Sequence, residues 1–164
     1  MREFDVSSAT VSLAAQALGC EEAHIAKTLA FLPRRPALIV AAGDAKVDNT
    51  KFKAQFGVKA KMIPPQDVQA LVGHAPGGVC PFCVNAGVQV FLDCSLQRFA
   101  TIYPAAGSAN SAVRLTPEEL AQLCPAAGSG RFVARAAGIN FRTNTKAAGW
   151  FPGSFFIFPG AFCP

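Results

Sequence analysis

The residues best suited to chemistry lie in a loop rich in glycine and proline, residues 73–85. Adjacent Gly77 and Gly78 allow positive φ angles and a close approach of the backbone. Successive N–H groups from Gly77 to Val79 could then point into one cavity and hold an oxyanion or a carbonyl oxygen. A Gly-Gly pair is more often a tight turn between a helix and a strand, so an ordinary turn is the alternative.

A second candidate is Lys27, whose neighbours Ile25, Ala26, Leu29 and Phe31 are apolar. Its amine should therefore emerge at the edge of the core, where a lysine can anchor a phosphate, a carboxylate or a carbonyl. A lysine that buries its stem and keeps its amine in water is the simpler alternative.

Five lysines within sixteen residues could form a basic face for a polyanion, although a solvated helix surface explains them equally well. They are Lys46, Lys51, Lys53, Lys59 and Lys61. The formal net charge of +5 is a weaker signal, because residues 1–119 carry eleven basic and ten acidic side chains. Residues 120–164 carry four basic side chains and no acidic one, so the excess charge belongs mostly to this C-terminal segment.

The sequence Cys80-Pro-Phe-Cys83 could be a dithiol redox pair or half of a zinc site. A redox pair prefers a helix N-terminus after a strand, and a zinc site needs two further ligands that no second Cys-x-x-Cys or His pair provides. We therefore expect no metal and no cofactor, and reduced cysteines in a chain without an export signal. His24 and His74 are expected to be structural or pocket-lining rather than general bases.

The segment 103–111 places Gly107 and small polar residues between two predicted strands. Ser108, Asn110 and Ser111 could donate hydrogen bonds into a pocket, or they could satisfy their own turn. The residue types alone leave both roles open.

The elements that must position these residues follow from caps, breakers and apolar periodicity in a chain of 164 residues, 51% hydrophobic and 15% charged. The predicted helices are 11–18, a short turn at 20–26, 50–56, 65–72 and 116–124, the last with a capping box from Thr116 to Glu119. The predicted strands are 28–32, 37–42, 59–63, 88–93, 100–103 and 112–115. Short helices between short strands suggest one domain with a mixed sheet flanked by helices, and Lys27 at a helix-to-strand junction. No stretch is apolar enough to cross a bilayer, so we expect a cytoplasmic protein.

Taken in order, five spaced motifs resemble the YbaK/prolyl-tRNA editing domain family over roughly residues 7–123. They are AKTL at 26–29, GDAKVD at 43–48, GHAPGGVCPF at 73–82, VFLD at 90–93 and AGSANS at 106–111. The resemblance implies an α/β fold of the α+β type, with a mixed, largely antiparallel sheet or open barrel surrounded by short helices. It also implies hydrolysis of the ester of mischarged tRNA, such as alanyl- or cysteinyl-tRNA(Pro), without a metal or a covalent nucleophile.

The resemblance assigns roles by position. Lys27 matches the family's functional lysine, Gly77, Gly78 and Pro81 match its G-G-x-[SC]-P loop, Asp93 matches the acid that ends the following strand, and Gly107 falls in the loop that closes the pocket. From the residue types we also expect the N–H groups of Gly77, Gly78 and Val79 to act in catalysis, and Lys46, Lys51 and Lys53 to contact tRNA. The expected substrate-binding residues are His24, Thr28, His74, Pro81, Asp93, Gly107, Ser108, Asn110 and Ser111. The expected partners are a mischarged aminoacyl-tRNA, prolyl-tRNA synthetase and, as a homodimer, a second copy of the chain.

The chain departs from the family at both ends. Members usually begin with one more helix, and after Leu123 the sequence becomes acid-free and rich in Phe, Gly and Pro. We therefore divide it into an editing domain, residues 1–124, and an atypical segment, residues 125–164, of loop and strand, for which a shifted reading frame is one hypothesis. The alternative functions are a non-catalytic tRNA- or protein-binding member of this fold and, with less support, a Cys-x-x-Cys thiol oxidoreductase.

Overall fold

The computed structural model describes residues 1–124 and 127–130. These residues contain four α-helices, α1 (Val11–Leu18), α2 (Asn49–Phe56), α3 (Pro65–Val72) and α4 (Pro117–Leu123), and two 3-10 helices at Glu22–His24 and Cys94–Arg98. The strands are β1 (Arg2–Glu3), β2 (Ile25–Phe31), β3 (Ala37–Ala42), β4 (Gln89–Asp93), β5 (Tyr103–Pro104), β6 (Ser111–Ala112) and β7 (Gly128–Gly130). No helix in this described part is long and apolar enough to cross a membrane.

Five strands form a mixed sheet in the order β5-β2-β3-β4-β7, and β1 pairs with β6 in a separate two-stranded sheet. The predicted class, a mixed sheet with short helices, is confirmed. We expected a largely antiparallel sheet, but most strand pairs in the five-stranded sheet are parallel. In the five-stranded sheet only β2 and β3 are antiparallel, while the other three pairs are parallel. The cause is connectivity, because α2 and α3 lie between β3 and β4 and return the chain for a parallel pairing.

The core lies on both faces of β3, all six residues of which are buried, as its unbroken apolar run predicted. Leu38 and Val40 pack into a cluster with residues of α3 and α4. Ile39, on the other face, packs with Phe31 and Phe52. This alternation of side chains between the two faces follows the two-residue period of a strand. Strand β2 is held by its antiparallel pairing with β3.

Local capping signals place most helices. The Thr10 side chain accepts from the N–H of Leu13 at the start of α1, and Asp48 accepts from the first turn of α2, which begins at Asn49, one residue earlier than predicted. The predicted capping box of α4 is present, with Thr116 and Glu119 bonding reciprocally. Helix α3 has the predicted bounds.

Four predicted elements were wrong in extent. The helical turn at 20–26 is only the 3-10 helix Glu22–His24, so Lys27 lies inside β2 rather than at a junction. The strand predicted at 59–63 is reduced to one bridge between Met62 and Phe31, because proline at 64 and 65 has no N–H to extend it. The strands predicted at 100–103 and 112–115 become β5 and β6, joined by a bridge between Ile102 and Leu115.

The boundary at residue 124 stays a prediction. Strand β7, at residues 128–130, pairs in parallel with β4 and so continues the sheet past that point. The loop and strand predicted for residues 125, 126 and 131–164 lie outside the described residues.

Candidate functional site

The candidate site is a cavity of about 290 Å³ along one edge of β2. On the side away from β3, β5 pairs with Ile25 and Ala26, while the 61–63 segment bonds to residues 30–32. Residues 27–29 have no strand partner there in the described part of the chain, and the cavity occupies this gap. The start of α1 and a loop that we call the glycine loop, residues 75–79, complete its walls.

Lys27 lies in this gap, half-buried, and its amine is held by the chain itself. Its Nζ donates to the carbonyl of Gly43 at 2.9 Å and to the carbonyl of Ala45. Burial lowers the pKa of the amine below the 10.5 of an ordinary lysine, while the charges of Asp44 and Glu22 act in the opposite direction. An ammonium has three N–H groups, so one remains for a ligand.

The glycine loop brings Gly77 and Val79 to the same cavity. Within the described residues their N–H groups have no hydrogen-bond partner. The N–H of Gly78 donates to the carbonyl of Ala75 at 3.0 Å, in contrast to its predicted role as an oxyanion donor. The reason is a turn from Ala75 to Gly78 that takes up this one amide. Gly77 and Val79, two of the three residues predicted to supply donors, thus line the same cavity as Lys27 with N–H groups available to hold a negative oxygen.

Close packing makes both glycines necessary. Gly77 has φ +87°, and a Cβ on Gly78 would lie 2.8 Å from the carbonyl oxygen of Gly107. Gly107 itself has φ +96°, which lets the 106–111 segment approach the glycine loop this closely. Gly107, a predicted substrate contact, does not itself line the cavity.

Two hydroxyls predicted to bind substrate line the cavity, those of Thr28 and Ser111. The Thr28 Oγ1 is buried and has no hydrogen-bond partner among the described residues. A buried hydroxyl without a partner is costly, so it is available to a polar group of a ligand. The Ser111 Oγ lies 2.6 Å from the Ser108 Oγ.

Ser108 and Asn110 satisfy their own turn, which was the second of the two roles left open. The Ser108 Oγ lies 2.9 Å from Asn110 Oδ1, and the Asn110 Nδ2 donates to the carbonyl of Phe4 at 3.1 Å. Both side chains are exposed and neither lines the cavity.

Four other predicted substrate contacts lie outside the cavity wall. The His24 ring packs on Phe99, with centroids 4.6 Å apart. Asp93 is 2% exposed, and its Oδ1 accepts from the N–H of Ser95 at 2.8 Å. A buried carboxylate used as a helix cap is held in place and is not free to turn toward a ligand.

The other two predicted contacts, His74 and Pro81, support the glycine loop. The His74 Nε2 lies 2.7 Å from the carbonyl oxygen of Phe82, and the carbonyl of Pro81 accepts from the Cys124 thiol at 3.7 Å. Both residues lie close to the glycine loop in the chain, and these contacts hold the shape of the loop.

The cysteines of the Cys-x-x-Cys sequence differ in exposure. Cys80 is buried, and burial raises the pKa of its thiol, while Cys83 is exposed with φ +46°. Burial also raises the pKa of Cys124 to about 11. Among the described residues no three His, Cys, Asp or Glu side chains cluster closely enough to hold a metal. Protonated, buried thiols are poor nucleophiles, which speaks against a dithiol enzyme.

Of the lysines predicted to contact a polyanion, Lys46 lies near this site. Lys46 is exposed and close enough to Lys27 to affect the pKa of its amine. Lys53 lines a separate, shallow depression of about 570 Å³ together with Lys59, and Lys51 is half-buried. We take the smaller cavity as the site because it brings the half-buried Lys27 together with the free amides of Gly77 and Val79.

Sequence reasoning missed part of the wall. Val11, Leu29 and Tyr103 give the cavity an apolar lining. Their types look like ordinary core residues, and only the gap beside β2 exposes them to a ligand, so no signal in the sequence could have identified them.

The profile of one known family, described as aminoacyl-tRNA editing domain, matches residues 6–123. Protein YwhH of Bacillus subtilis (strain 168), whose function is uncharacterized, is 51% identical over 122 residues, which are 73% of this chain and 78% of YwhH. Proline--tRNA ligase of Limosilactobacillus fermentum (strain NBRC 3956 / LMG 18251) is 30% identical over 95 residues, which are 54% of this chain and only 17% of the ligase.

Solved structures agree with this match. A crystal structure of a protein proposed to be a trans-editing enzyme for prolyl tRNA synthetase has a TM-score of 0.73 and 30% identity, with 82% of this chain and 85% of that chain covered. Hypothetical protein APE2540 has the same TM-score, 0.73, at 24% identity, with 81% of this chain and 89% of that chain covered, and shows the shared fold.

Proposed function

Because the chain belongs to the aminoacyl-tRNA editing domain family, we propose that it is a hydrolase that cleaves the ester between a mischarged amino acid and its tRNA. The observation that carries this proposal is the pairing of Lys27 with the free N–H groups of Gly77 and Val79 in one cavity. An aminoacyl ester is already activated, so the site must mainly orient it, place water and stabilise the developing oxyanion.

In this mechanism the water oxygen attacks the ester carbonyl carbon, and negative charge develops on the carbonyl oxygen. The amides of Gly77 and Val79 hold that oxygen, which stabilises the transition state more than the ground state. The third N–H of Lys27 anchors the terminal nucleotide or the aminoacyl group. The carbon–oxygen bond to the ribose then breaks, and the ribose oxygen leaves as a hydroxyl with one proton of the attacking water. The other proton passes to solvent, so the amino acid leaves as its carboxylate. A neighbouring ribose hydroxyl positions the water, so no side-chain general base is required.

The cavity favours a small amino acid. Its volume of about 290 Å³ must also admit part of the terminal nucleotide, and Val11, Leu29 and Tyr103 make its lining apolar. The unpartnered Thr28 hydroxyl is positioned to accept a hydrogen bond from a polar group of the substrate. We propose alanine or cysteine on tRNA(Pro), in keeping with the names of the ligase and of the trans-editing relative. A pocket that excludes larger residues removes errors that a synthetase cannot avoid by binding energy alone.

The tRNA body would lie across the basic surface. Lys46, Lys51 and Lys53 are proposed to contact its phosphates, whose neutralisation supplies affinity without sequence readout. Prolyl-tRNA synthetase is the proposed functional partner, and the cytoplasm the proposed location, since both the synthesis of the ester and its use take place there.

The test is a deacylation assay with alanyl-, cysteinyl-, seryl- and threonyl-tRNA and two variants. We expect wild-type protein to release alanine or cysteine from tRNA(Pro), and Lys27→Met to lose at least about 100-fold in kcat while its thermal unfolding is unchanged. Arg35→Met, which removes an exposed cation in the turn between β2 and β3, should keep the wild-type rate. Tight binding of mischarged tRNA without hydrolysis would instead favour the non-catalytic alternative.

A further inference from the structure

The amine of Lys27 depends on a short loop for its position. The acceptor loop, residues 43–45, follows β3, and the carbonyls of Gly43 and Ala45 both accept from the Lys27 Nζ. These two bonds decide where the remaining N–H of the ammonium points. The stability of the acceptor loop is therefore a determinant of the site.

Arg98 fixes the residue at the centre of that loop. Its guanidinium binds both carboxylate oxygens of Asp44, with Nη1 at 2.9 Å from Oδ2 and Nη2 paired with Oδ1. The Arg98 side chain is only 10% exposed, against 39% for Asp44. Two-point contact by a planar guanidinium sets orientation as well as distance, which a single-point contact does not.

Arg98 is itself held in place by its own 3-10 helix. Its Nε donates to the carbonyl of Ser95 at 3.0 Å, and its guanidinium lies 4.8 Å from the centroid of the Phe99 ring. The 3-10 helix Cys94–Arg98 is tied to the end of β3, because the N–H of Ala42 donates to the Ser95 Oγ at 3.1 Å. The ion pair thus connects the acceptor loop to a 3-10 helix that is itself bonded to the end of β3.

The opposite side of the loop is closed by backbone. A Cβ on Gly43 would lie 1.9 Å from the carbonyl oxygen of Glu22, so the chain passes directly against the first 3-10 helix. The acceptor loop is held between the two 3-10 helices, and the Asp44–Arg98 pair connects it to the second one through side chains.

We propose that Asp44 and Arg98 are positioning residues that hold the two carbonyls of the acceptor loop on the Lys27 amine and so direct its third N–H into the cavity. The inference rests on the proposed function for its effect on the reaction, but the contact itself can be tested without it. Arg98 also lowers the pKa of the Asp44 carboxyl, in agreement with a pair that is ionised and bonded. The competing view is an ion pair at the surface that contributes almost nothing.

The variants are Arg98→Met, Asp44→Asn, the double variant and Arg98→Lys, with Arg35→Met as the control. Arg35 is exposed in the turn between β2 and β3 and belongs to no part of the site. Two quantities are measured: steady-state kcat and KM for the deacylation of alanyl-tRNA(Pro), and the acetylation rate of each lysine by limiting acetic anhydride, read by peptide mass spectrometry.

We expect either single change to lower kcat about tenfold with little effect on KM, since a misplaced group costs rate rather than affinity. The double variant should be no slower than the slower single one, because both remove the same contact. Arg98→Lys should be intermediate. Acetylation of Lys27 should rise severalfold in Arg98→Met and Asp44→Asn, while that of Lys61 is unchanged.

The other outcomes either contradict the positioning role of Asp44 and Arg98 or show that this role holds while the proposed function fails. Unchanged kcat and unchanged Lys27 acetylation would show a surface pair without a role. A parallel rise at Lys27 and Lys61 would show general loosening of the fold, which also overturns it. If wild-type protein hydrolyses no ester and Lys27 acetylation still rises selectively, the positioning contact stands and the proposed function fails.

Discussion

Substitution of Gly78 by alanine tests whether the glycine loop acts through its position. The added Cβ would lie 2.8 Å from the carbonyl oxygen of Gly107 and 2.9 Å from the Cα of Ser108. Ordinary contact begins at 3.4 Å, so one segment must retreat by about 0.6 Å. All the obstructing atoms belong to backbone, which cannot rotate away as a side chain can.

The expected effect is a loss of rate larger than the loss of stability. An oxyanion donor acts at about 2.7–3.1 Å, so a shift of about 0.6 Å in the amides of Gly77 and Val79 removes most of their effect. A misplacement of about 1 Å costs on the order of 100-fold, so we expect kcat to fall between about tenfold and 100-fold. Overpacking of this kind costs about 1–3 kcal/mol in the free energy of unfolding.

The matched control is Gly87→Ala. Gly87 has φ +86°, and a Cβ added there would have no atom within 4 Å. Alanine at this position would therefore have a strained backbone conformation but would not clash with a neighbouring residue. The left-handed conformation costs about 1–2 kcal/mol of stability, and kcat should be that of wild type. Both variants are compared by thermal unfolding and by single-turnover release of labelled alanine from tRNA(Pro). Wild-type kcat in Gly78→Ala, or an equal loss in Gly87→Ala, would refute a role for the position of this loop.

The electrostatics of the site and its thiols can be tested separately. If the ammonium form of Lys27 acts, deacylation above the spontaneous rate should decline as pH rises, and because burial lowers the pKa of this amine the decline should come at a pH below 10.5. A pH–rate profile that is flat up to pH 10.5 would contradict the assignment. Cys80→Ser should keep the wild-type kcat, since this buried thiol is not in the cavity wall. Loss of activity in both Cys80→Ser and Cys83→Ser, each with an intact fold, would revive the dithiol hypothesis.

Local signals explain how much of the fold could be predicted. The caps at Thr10, Asp48 and Thr116 each act within four residues of themselves, and the burial of β3 follows from its own apolar run. Strand partners depend on residues far away in the chain. The sequence therefore indicated a mixed sheet but not which neighbours would be parallel.

The same limit applies to the site. Residue type alone left Lys27 and the Gly77–Val79 turn each with a simpler explanation, whereas the structure places Lys27, Gly77 and Val79 at one cavity. Residue type gives no direction, however, and Asp93 uses its carboxylate to accept from the N–H of Ser95. Arg98 was not predicted at all, since its partner Asp44 is 54 residues away and neither residue type is unusual at a surface.

The cavity itself has an origin in the covalent chemistry of proline. If the antiparallel register of Met62 with Phe31 continued, Pro64 would lie opposite Leu29 and Pro65 opposite Thr28. Neither has an N–H to donate, so this segment cannot extend along β2. From the other end, β5 stops at Pro104, and Ala105 bridges to Ala112 instead of continuing beside Lys27. Two short neighbours thus leave the edge at residues 27–29 open, which is the condition for a lysine in the middle of a strand to meet a ligand.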